Sequence, residues 1–266
     1  MNNKNGYVFN VEEQTDNCIK WIKHWFNNCS GNAKGVIIGI SGGKDSTVAA
    51  KLLCEAIGSE KVLGVMMPNG QQKDIHDSKK VCEMLKIRYT TVNIQESYQA
   101  ITNSIECSEF EYSNSKSINL SSHTLTNIAP RLRMTTVYTI GQELSYRIVG
   151  TGNLSESLVG YCTKYGDTAC DFAILSTFTK REVVKIGEYL GLPRDLIQKE
   201  PSDGLSGVSD EENLGFSYEV LDKFIRVGVC EDKKIKEIIK NRWKINNHKR
   251  NIQVPHYNSE ISICIN

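Results

Sequence analysis

The segment Ser41–Ser46, with the sequence SGGKDS, constrains the fold of this chain more than any other. It directly follows the apolar run Val36–Ile40 and directly precedes the helix-like stretch Thr47–Ile57. A strand that ends in paired glycines and then starts a helix presents backbone N–H groups and the positive end of a helix to an anion. We therefore expect a strand–turn–helix unit that binds phosphate.

The spacing of this turn differs from that of the P-loop, which would need Gly at position 38 and Ser or Thr at position 45. The chain has Ile38 and Asp45 there. A carboxylate at the mouth of a phosphate site repels the ligand unless a cation lies between them, so Asp45 is predicted to be a Mg²⁺ ligand. The alternative is a glycine turn in which Asp45 is favoured near a helix N-terminus for its charge alone.

The length allows residues 1–266 to form a single α/β domain, and the composition, with 39% apolar residues and only 5 prolines, favours a compact globular protein. The 32 basic and 31 acidic residues nearly balance, so neither nucleic acid nor an anionic membrane is expected as a partner. The polar N-terminus and the lack of a long apolar run predict a cytoplasmic protein. The 9 cysteines include no C-x-x-C pair, which disfavours zinc and a disulfide framework.

Hydrophobic periodicity predicts a Rossmann-like α/β fold, in which a parallel sheet carries helices on both faces. The alternation of short apolar runs with amphipathic stretches is typical of βαβ units. Strands are expected at 36–40, 61–67, 89–94 and 146–149. Helices are expected at 11–28, 46–57, 74–86, 95–107, 128–145, 179–190, 193–198, 210–213, 217–228 and 231–246. The polar run 111–126 is predicted to be a loop, and 201–207 a flexible insert.

The strand 146–149 ends in a second glycine-containing turn, GTGN, which is predicted to face the first turn at the carboxyl edge of the sheet. Glu156 follows it, and together with Asp45 would complete a two-carboxylate Mg²⁺ site that holds a triphosphate. A solvated acid in a loop is the alternative for Glu156. Lys180 starts an amphipathic helix, where a cation is unfavourable for the helix dipole, and this indicates a bound anion.

Three further segments carry charged side chains suited to a polar ligand. The loop YCTKYGDTACD contains Lys164, Asp167 and Asp171, for which surface ion pairs are an equal alternative. Arg131 and Arg133 lie beside Pro130 near the start of a helix, where they would bind phosphate or carboxylate. The basic segment His248–Arg250 offers the same chemistry, although such segments are usually solvated.

Several motifs occur in an order that resembles the ammonia-dependent NAD⁺ synthetases of the N-type ATP pyrophosphatase superfamily. They are GISGGKDST, GTGNLSE, KYGD, TKREVV, EPSDGLSG, SDEENLGFSYEVLD and HKR. The resemblance runs from about residue 10 to residue 255. It implies an adenine nucleotide alpha hydrolase-like fold, a homodimer, and a two-step reaction. In that reaction ATP adenylates the nicotinate carboxylate of deamido-NAD⁺, and ammonia then displaces AMP.

The resemblance also implies a role for each matching residue. The implied ATP contacts are Gly39, Ile40, Ser41, Gly42, Gly43, Lys44, Asp45, Ser46, Thr151, Lys180 and Ser202. The implied magnesium ligands are Asp45 and Glu156. The implied deamido-NAD⁺ contacts are Arg131, Lys164, Asp171, His248 and Lys249. Catalysis is expected to involve Asp45, Lys180 and Asp171.

The chain departs from the family pattern at three places. Thr168-Ala169-Cys170 replaces the usual GG after KYGD, Ala173-Ile174 replaces the usual Asn-Pro, and Pro130 replaces a small residue. Two other functions stay open at this point: a tRNA thiolase or similar adenylating enzyme, and a nucleotide-binding sensor without catalysis. The near-neutral charge disfavours an RNA substrate.

Overall fold

The computed structural model describes residues 6–72, 75–108, 118–198 and 209–250. Within them, five parallel strands form one sheet in the order β3-β2-β1-β4-β5. The strands are β1 Gly35–Gly39, β2 Val62–Met66, β3 Arg88–Thr91, β4 Tyr146–Gly150 and β5 Phe172–Ala173. In the register of the sheet, Val36 of β1 lies opposite Val62 of β2 and Arg147 of β4. The chain thus places β1 at the centre.

The helices that surround the sheet follow the strands in the manner of βαβ units. They are α1 Val11–Cys29, α2 Lys44–Ile57, α3 Ile75–Leu85, α4 Gln95–Glu106, α5 Ser122–Leu144, α6 Leu154–Val159, α7 Lys180–Tyr189, α8 Arg194–Ile197, α9 Asp210–Leu214, α10 Tyr218–Val227, α11 Lys233–Ile245 and α12 Asn247–Arg250. A short 3₁₀ helix spans Ser59–Lys61. None of the helices in the described ranges is both long and apolar enough to cross a membrane.

The alternation of side chains in β1 explains why the sheet is covered on both faces. Val36 and Ile38 enter a core cluster with residues of α1, α2, α7 and α8. Ile37 points the other way and packs with Val137 of α5. Because both faces of a parallel strand are buried, β1 and β2 consist almost entirely of apolar residues and glycine. A third cluster joins α6, α9, α10 and α11.

Most predicted elements are confirmed within a few residues, with three corrections. The loop predicted over 111–126 was too long, because Ser121 caps α5 and the helix begins at Ser122. The strand predicted at 89–94 is shorter, since β3 is Arg88–Thr91. Helices α6 and α12 and the two-residue strand β5 were not expected, because all three are too short to produce a periodic pattern.

Candidate active site

The turn after β1 has the shape predicted for an anion-binding turn. The Oγ atom of Ser41 accepts a hydrogen bond from the N–H of Gly43 at 3.2 Å, and Ser46 Oγ donates to the Gly43 carbonyl at 3.1 Å. The first-turn N–H groups of α2, starting at Lys44, have no partner within the helix. They are therefore free to bind an anion at the carboxyl end of β1.

Gly42 is required by the geometry of this turn. Its φ is +78°, a left-handed conformation that costs an L-residue about 1–2 kcal/mol. A Cβ at this position would also lie 3.0 Å from the Cβ of Asp77 and the backbone N of Ser78, at the start of α3. The turn is consequently packed against α3 as well as against its own serines. Gly39 ends β1, and the N–H of Ile40 donates to the Val65 carbonyl at 3.0 Å.

The turn after β4 faces the turn after β1, as predicted. β1 has β2 on one side and β4 on the other, so a crevice opens between β1 and β4 at their carboxyl ends. Thr151 follows β4, and the buried Asn153 caps α6 by accepting the N–H of Glu156 at 3.0 Å. The amide of Asn153 also donates to the carboxylate of Asp45 at 3.2 Å. Asn153 therefore links the two turns.

Lys180 connects the two predicted magnesium ligands. Its Nζ donates to Asp45 Oδ2 at 2.8 Å and to Glu156 Oε1 at 2.6 Å. Only 6% of its side chain is exposed, against 18% for Asp45 and 19% for Glu156. We call these three residues the carboxylate–lysine cluster. Glu156 is therefore not a solvated loop acid, and the charge that Lys180 meets in this structure is carried by two carboxylates.

The position of Lys180 follows from the close packing of α7 on α2. A Cβ on Gly187 of α7 would lie 2.9 Å from a methyl carbon of Val48 in α2 and 3.0 Å from one of Ile197 in α8. Thr179 caps α7 through a capping box with Glu182. With α7 packed on α2 in this way, the side chain of Lys180 at the first position of α7 reaches Asp45 in the first turn of α2.

Burial and charge act in opposite directions in the carboxylate–lysine cluster. Burial raises the pKa of Glu156 to about 7, because the attraction of Lys180 only partly offsets the burial and Asp45 adds repulsion. Burial lowers the pKa of Lys180, but the two carboxylates outweigh it and hold that pKa well above its usual value. Lys180 is thus a firmly charged ammonium, and Glu156 changes charge near neutral pH.

The donor atoms of this cluster suit Mg²⁺. The ion prefers oxygen ligands and is commonly held by one or two carboxylates together with substrate phosphates. Asp45 and Glu156 are brought to within hydrogen-bond distance of one nitrogen, beside the anion-binding turn. No group of three or more His, Cys, Asp or Glu in the described ranges is arranged to hold a metal ion by itself. Two carboxylates beside the anion-binding turn fit an ion whose coordination phosphates would complete.

The ammonium of Lys180 also lies against an aromatic ring. Its Nζ is 5.1 Å from the ring centroid of the buried Tyr218, and the Tyr218 hydroxyl donates to Asp210 Oδ2 at 3.2 Å. Lys44 lies in the same region, where burial and the charge of Lys180 lower its pKa. The site therefore holds two lysines and at least two carboxylates close together.

The predicted dinucleotide contacts form a second group around the loop 161–171. Arg131 Nε donates to the Lys164 carbonyl at 3.4 Å, and the Lys164 ammonium lies 5.0 Å from the ring centroid of Tyr165. Pro130 does not move Arg131 away from this loop, because Gly166 packs directly on Pro130. The carboxylate of Asp171 accepts the N–H of Ile148 at 2.8 Å, beside β4.

The predicted basic segment divides into one anchored and one exposed residue. Lys249 Nζ donates to the carbonyls of Gly160 and Cys162, both at 2.7 Å, which ties α12 to the end of α6. His248 is exposed on α12. Arg133 donates to the Met67 carbonyl at 3.0 Å and so points toward β2. In the described part of the chain, the hydrogen bonds of Asp171 and Lys249 are made to residues around the loop 161–171 and to β4, and not to the carboxylate–lysine cluster.

Several residues that contact the carboxylate–lysine cluster were not predicted from the sequence. Asn153 was overlooked, although an N-cap residue followed three positions later by Glu is a recognisable helix start. Tyr218, Ser155 and Asp222 have no local signal, because their contacts join α6, α7 and α10 across 25 to 67 positions of sequence. Ser202, predicted to bind ATP, lies outside the described residues.

A family model described as NAD synthase matches residues 15–259. A relative from Carboxydothermus hydrogenoformans, described as NH(3)-dependent NAD(+) synthetase, is 36% identical over 249 residues, which cover 92% of this chain and 98% of that relative. The chain belongs to the NAD synthase family. The turn after β1 and the carboxylate–lysine cluster occupy positions 39–46, 156 and 180, all within the matched range.

Two solved structures support the family assignment. The NMN synthetase from Francisella tularensis has a TM-score of 0.82 and 30% identity, and covers 96% of this chain and 100% of that one. The NH3-dependent NAD synthetase from Campylobacter jejuni has a TM-score of 0.73 and 26% identity, and covers 95% of this chain and 100% of that one. These likenesses and the parallel sheet confirm the predicted adenine nucleotide alpha hydrolase-like fold.

Proposed function

We propose that this chain is an ammonia-dependent NAD⁺ synthetase. It uses ATP to convert the nicotinate carboxylate of deamido-NAD⁺ into the carboxamide of NAD⁺, and releases AMP and pyrophosphate. A carboxylate at neutral pH is a poor acyl donor, so one of its oxygens must first become part of a good leaving group. Membership of the NAD synthase family supports this reaction.

The observation that carries the proposal is the meeting of the anion-binding turn with the carboxylate–lysine cluster at the crevice between β1 and β4. A triphosphate needs backbone N–H donors, at least one fixed cation, and carboxylates that hold Mg²⁺. The turn, Lys180 and the carboxylates of Asp45 and Glu156 would supply these groups to one ligand. An exposed acid or a glycine turn alone would require none of the buried links through Asn153 and Lys180.

The reaction proceeds in two displacements. One carboxylate oxygen of deamido-NAD⁺ attacks the α-phosphorus of ATP, and the bond from that phosphorus to the bridging oxygen of pyrophosphate breaks. Ammonia then attacks the carbonyl carbon of the adenylate, AMP leaves with the bonding electron pair, and the new amide loses a proton. The N–H groups of the turn and Lys180 would bind the phosphates and stabilise the negative charge on the departing pyrophosphate.

Asp45 and Glu156 would hold Mg²⁺, and the ATP phosphates would complete its coordination. Such an ion supplies charge neutralisation for the phosphoryl oxygens. Lys180 Nζ holds one oxygen of each carboxylate in this structure, Asp45 Oδ2 and Glu156 Oε1, and its ammonium would leave them if those oxygens bound Mg²⁺. The freed ammonium would then be available for a phosphate oxygen at the same place.

The second group of residues would bind the dinucleotide. Arg131, Lys164 and Lys249 would supply positive charge for phosphates, His248 would supply a ring N–H donor, and Asp171 would contact the nicotinate end. We also propose that the 266 residues form one domain that works as a cytoplasmic homodimer. The resemblance to the family supports the dimer, and light scattering of the purified protein tests it.

An isotope experiment tests the chemistry. Deamido-NAD⁺ labelled with ¹⁸O in its carboxylate, incubated with ATP, Mg²⁺ and ammonium, should give NAD⁺ and AMP that carries one labelled oxygen. Formation of ADP, with the label in inorganic phosphate, would mean an acyl phosphate intermediate and would contradict the proposal. ATP binding without any nucleotide cleavage would instead identify a sensor.

A second candidate differs only in the size of the acceptor. The likeness to the NMN synthetase from Francisella tularensis favours nicotinate mononucleotide as an alternative substrate for the same amidation. The two are separated by kcat/KM for deamido-NAD⁺ and for nicotinate mononucleotide under identical conditions. A ratio above 10 in favour of the dinucleotide would support the first assignment, and a ratio below 0.1 would support the second (about 1.4 kcal/mol each way).

A further inference from the structure

The motif SDEENLGFSYEVLD, which spans residues 209–222, has no residue among the ligand contacts proposed above. The structure places it on α9 and α10, behind the carboxylate–lysine cluster. Tyr218 from this motif lies under the ammonium of Lys180, and Asp222 lies next to the start of α7. The motif therefore packs against the elements that carry the reactive side chains.

Asp222 is buried, with 5% of its surface exposed, and both of its carboxylate oxygens are engaged. Oδ1 accepts the hydroxyl of Ser155 at 2.5 Å, and Oδ2 accepts the N–H of Arg181 at 2.9 Å. The same Ser155 Oγ accepts the backbone N–H of Lys180 at 3.0 Å. Asp222 thus fixes a serine in α6 and the first turn of α7 at the same time.

Each residue that Asp222 holds is the immediate neighbour of a member of the cluster. Ser155 precedes Glu156 in α6, and Arg181 follows Lys180 in α7. Those two members are linked directly by the 2.6 Å contact from Lys180 Nζ to Glu156 Oε1. A shift of α7 by a fraction of an ångström relative to α6 would change that contact directly.

We propose that Asp222 is a positioning residue that sets Lys180 in register with Glu156, and that the Ser155 hydroxyl transmits this constraint. The inference rests on the proposed function, because it assigns Lys180 and Glu156 to the ATP site. Asp222 itself does not touch a substrate. Its role is to keep the ammonium at the point where the phosphates would lie, and misplacement by about 1 Å can lower a rate by about 100-fold.

The chain provides a matched control in Glu182. Glu182 lies on α7, as Lys180 does, and is 4% exposed. It also joins α7 to α10, through two hydrogen bonds from Arg226 at 2.5 and 2.8 Å. Its remaining contacts are with Thr179 and Tyr7. Glu182 therefore anchors α7 about as firmly as Asp222 does, but it holds no part of α6 and no neighbour of Glu156.

The test compares Asp222→Asn with Glu182→Gln. An asparagine can still accept the Arg181 N–H through its oxygen, but its NH₂ then meets the Ser155 hydroxyl and reverses the direction of that hydrogen bond. We expect both variants to lose stability in urea unfolding. Asp222→Asn should lower kcat about 10- to 100-fold, with KM for deamido-NAD⁺ changed less than threefold. Glu182→Gln should change kcat less than threefold.

A double-mutant cycle separates positioning from general stabilisation. If Asp222 acts through Lys180, then Asp222→Asn should have almost no further effect in a Lys180→Met background. The cycle is measured with the Kd of ATP obtained by calorimetry, because Lys180→Met is expected to abolish turnover, and it can therefore be completed even if the dinucleotide is not the substrate. Ser155→Ala should show the same coupling to Lys180.

Equal effects of Asp222→Asn in the wild-type and Lys180→Met backgrounds would overturn the proposal, as would losses of kcat equal to those of Glu182→Gln. Failure of the proposed function has a different signature. In that case the wild type would not amidate either nicotinate nucleotide, while the coupling between Asp222 and Lys180 in ATP affinity would persist.

Discussion

Replacing Lys180 by methionine should increase the affinity of the apo-protein for divalent cations, although it should abolish turnover. The ammonium donates to both Asp45 and Glu156, at 2.8 and 2.6 Å, so a divalent ion and Lys180 compete for the same oxygens. Methionine has a similar length and no charge. The variant leaves two neighbouring carboxylates without their cation, and a metal ion relieves that repulsion.

The structure gives the scale of the effect. Removing one partner of a buried ion pair costs about 3–5 kcal/mol, and Lys180 is buried while its partners are partly exposed, so the lower value applies. If a metal ion recovers half of about 3 kcal/mol, its affinity rises roughly 10-fold, since about 1.4 kcal/mol corresponds to a factor of ten. Proton uptake by Glu156, whose pKa is already about 7, opposes this gain at neutral pH.

The assay is Mn²⁺ binding followed by electron paramagnetic resonance, without ATP, at pH 8.5 and at pH 7. The Lys180→Met protein should bind Mn²⁺ about 10-fold more tightly than the wild type at pH 8.5, and the gain should shrink at pH 7. Lys44→Met is the control, because it removes a cation from the same region while the two ion pairs of Lys180 remain. Unchanged or weaker Mn²⁺ binding by Lys180→Met at pH 8.5 would refute the reasoning.

Three further predictions concern the turn, the acid and the dinucleotide site. Gly42→Ala should destabilise the protein by about 2–4 kcal/mol in urea unfolding, because the residue has a positive φ and its Cβ would be overpacked. Gly43→Ala is the control and should cost less than half as much, because Gly43 has a φ of −85°. Equal losses of stability would contradict this geometry. Burial raises the folded-state pKa of Glu156 to about 7, so the native state binds more protons than the unfolded state between pH 4.5 and 7. The free energy of unfolding of the wild type, relative to that of Glu156→Gln, should therefore fall as the pH rises from 4.5 to 7. A rise over this pH range would contradict the raised pKa. Arg131→Ala and Lys249→Ala should each raise KM for deamido-NAD⁺ and leave KM for ATP nearly unchanged. Only Lys249→Ala should lower the melting temperature, because Lys249 donates to two backbone carbonyls. An increase in KM for ATP alone would instead assign these residues to the ATP site.

The central part of the fold and of the candidate site was predictable from sequence because its signals are local. The apolar run of β1, the paired glycines and the start of α2 are consecutive, so short-range patterns define the anion-binding turn. The second turn after β4 followed from the rule that ligands bind at the carboxyl ends of parallel strands. What short-range patterns cannot give is the partner of each charge. Lys180 was expected to meet an anion, and only the packing of α7 on α2 identifies the carboxylates of Asp45 and Glu156.

Asp222 and Ser155 could not be predicted from the sequence, because their contacts are also long-range. Asp222 and Ser155 are 67 positions apart and are joined by one hydrogen bond, which leaves no periodic pattern. The two-residue strand β5 and the six-residue helix α6 are likewise fixed by their neighbours rather than by their own propensities. Tertiary contacts therefore decide these elements, and the residues at positions 155 and 222 are ordinary polar residues until the helices are placed.

The carboxylate–lysine cluster conflicts with local preferences in a way that is itself informative. A lysine at the first position of α7 opposes the helix dipole, and its burial would normally lower its pKa. A glutamate whose pKa is raised to about 7 by burial is similarly unfavourable in isolation. The attraction of the two carboxylates outweighs the cost at Lys180, whereas Lys180 offsets only part of the cost at Glu156. Natural sequences tolerate such conflicts mainly at functional sites, since a core that served stability alone would replace the three charges with apolar residues. The conflict at Lys180, already visible in the sequence as a cation at a helix start, thus marks the place where a ligand's charge is expected to enter the cluster.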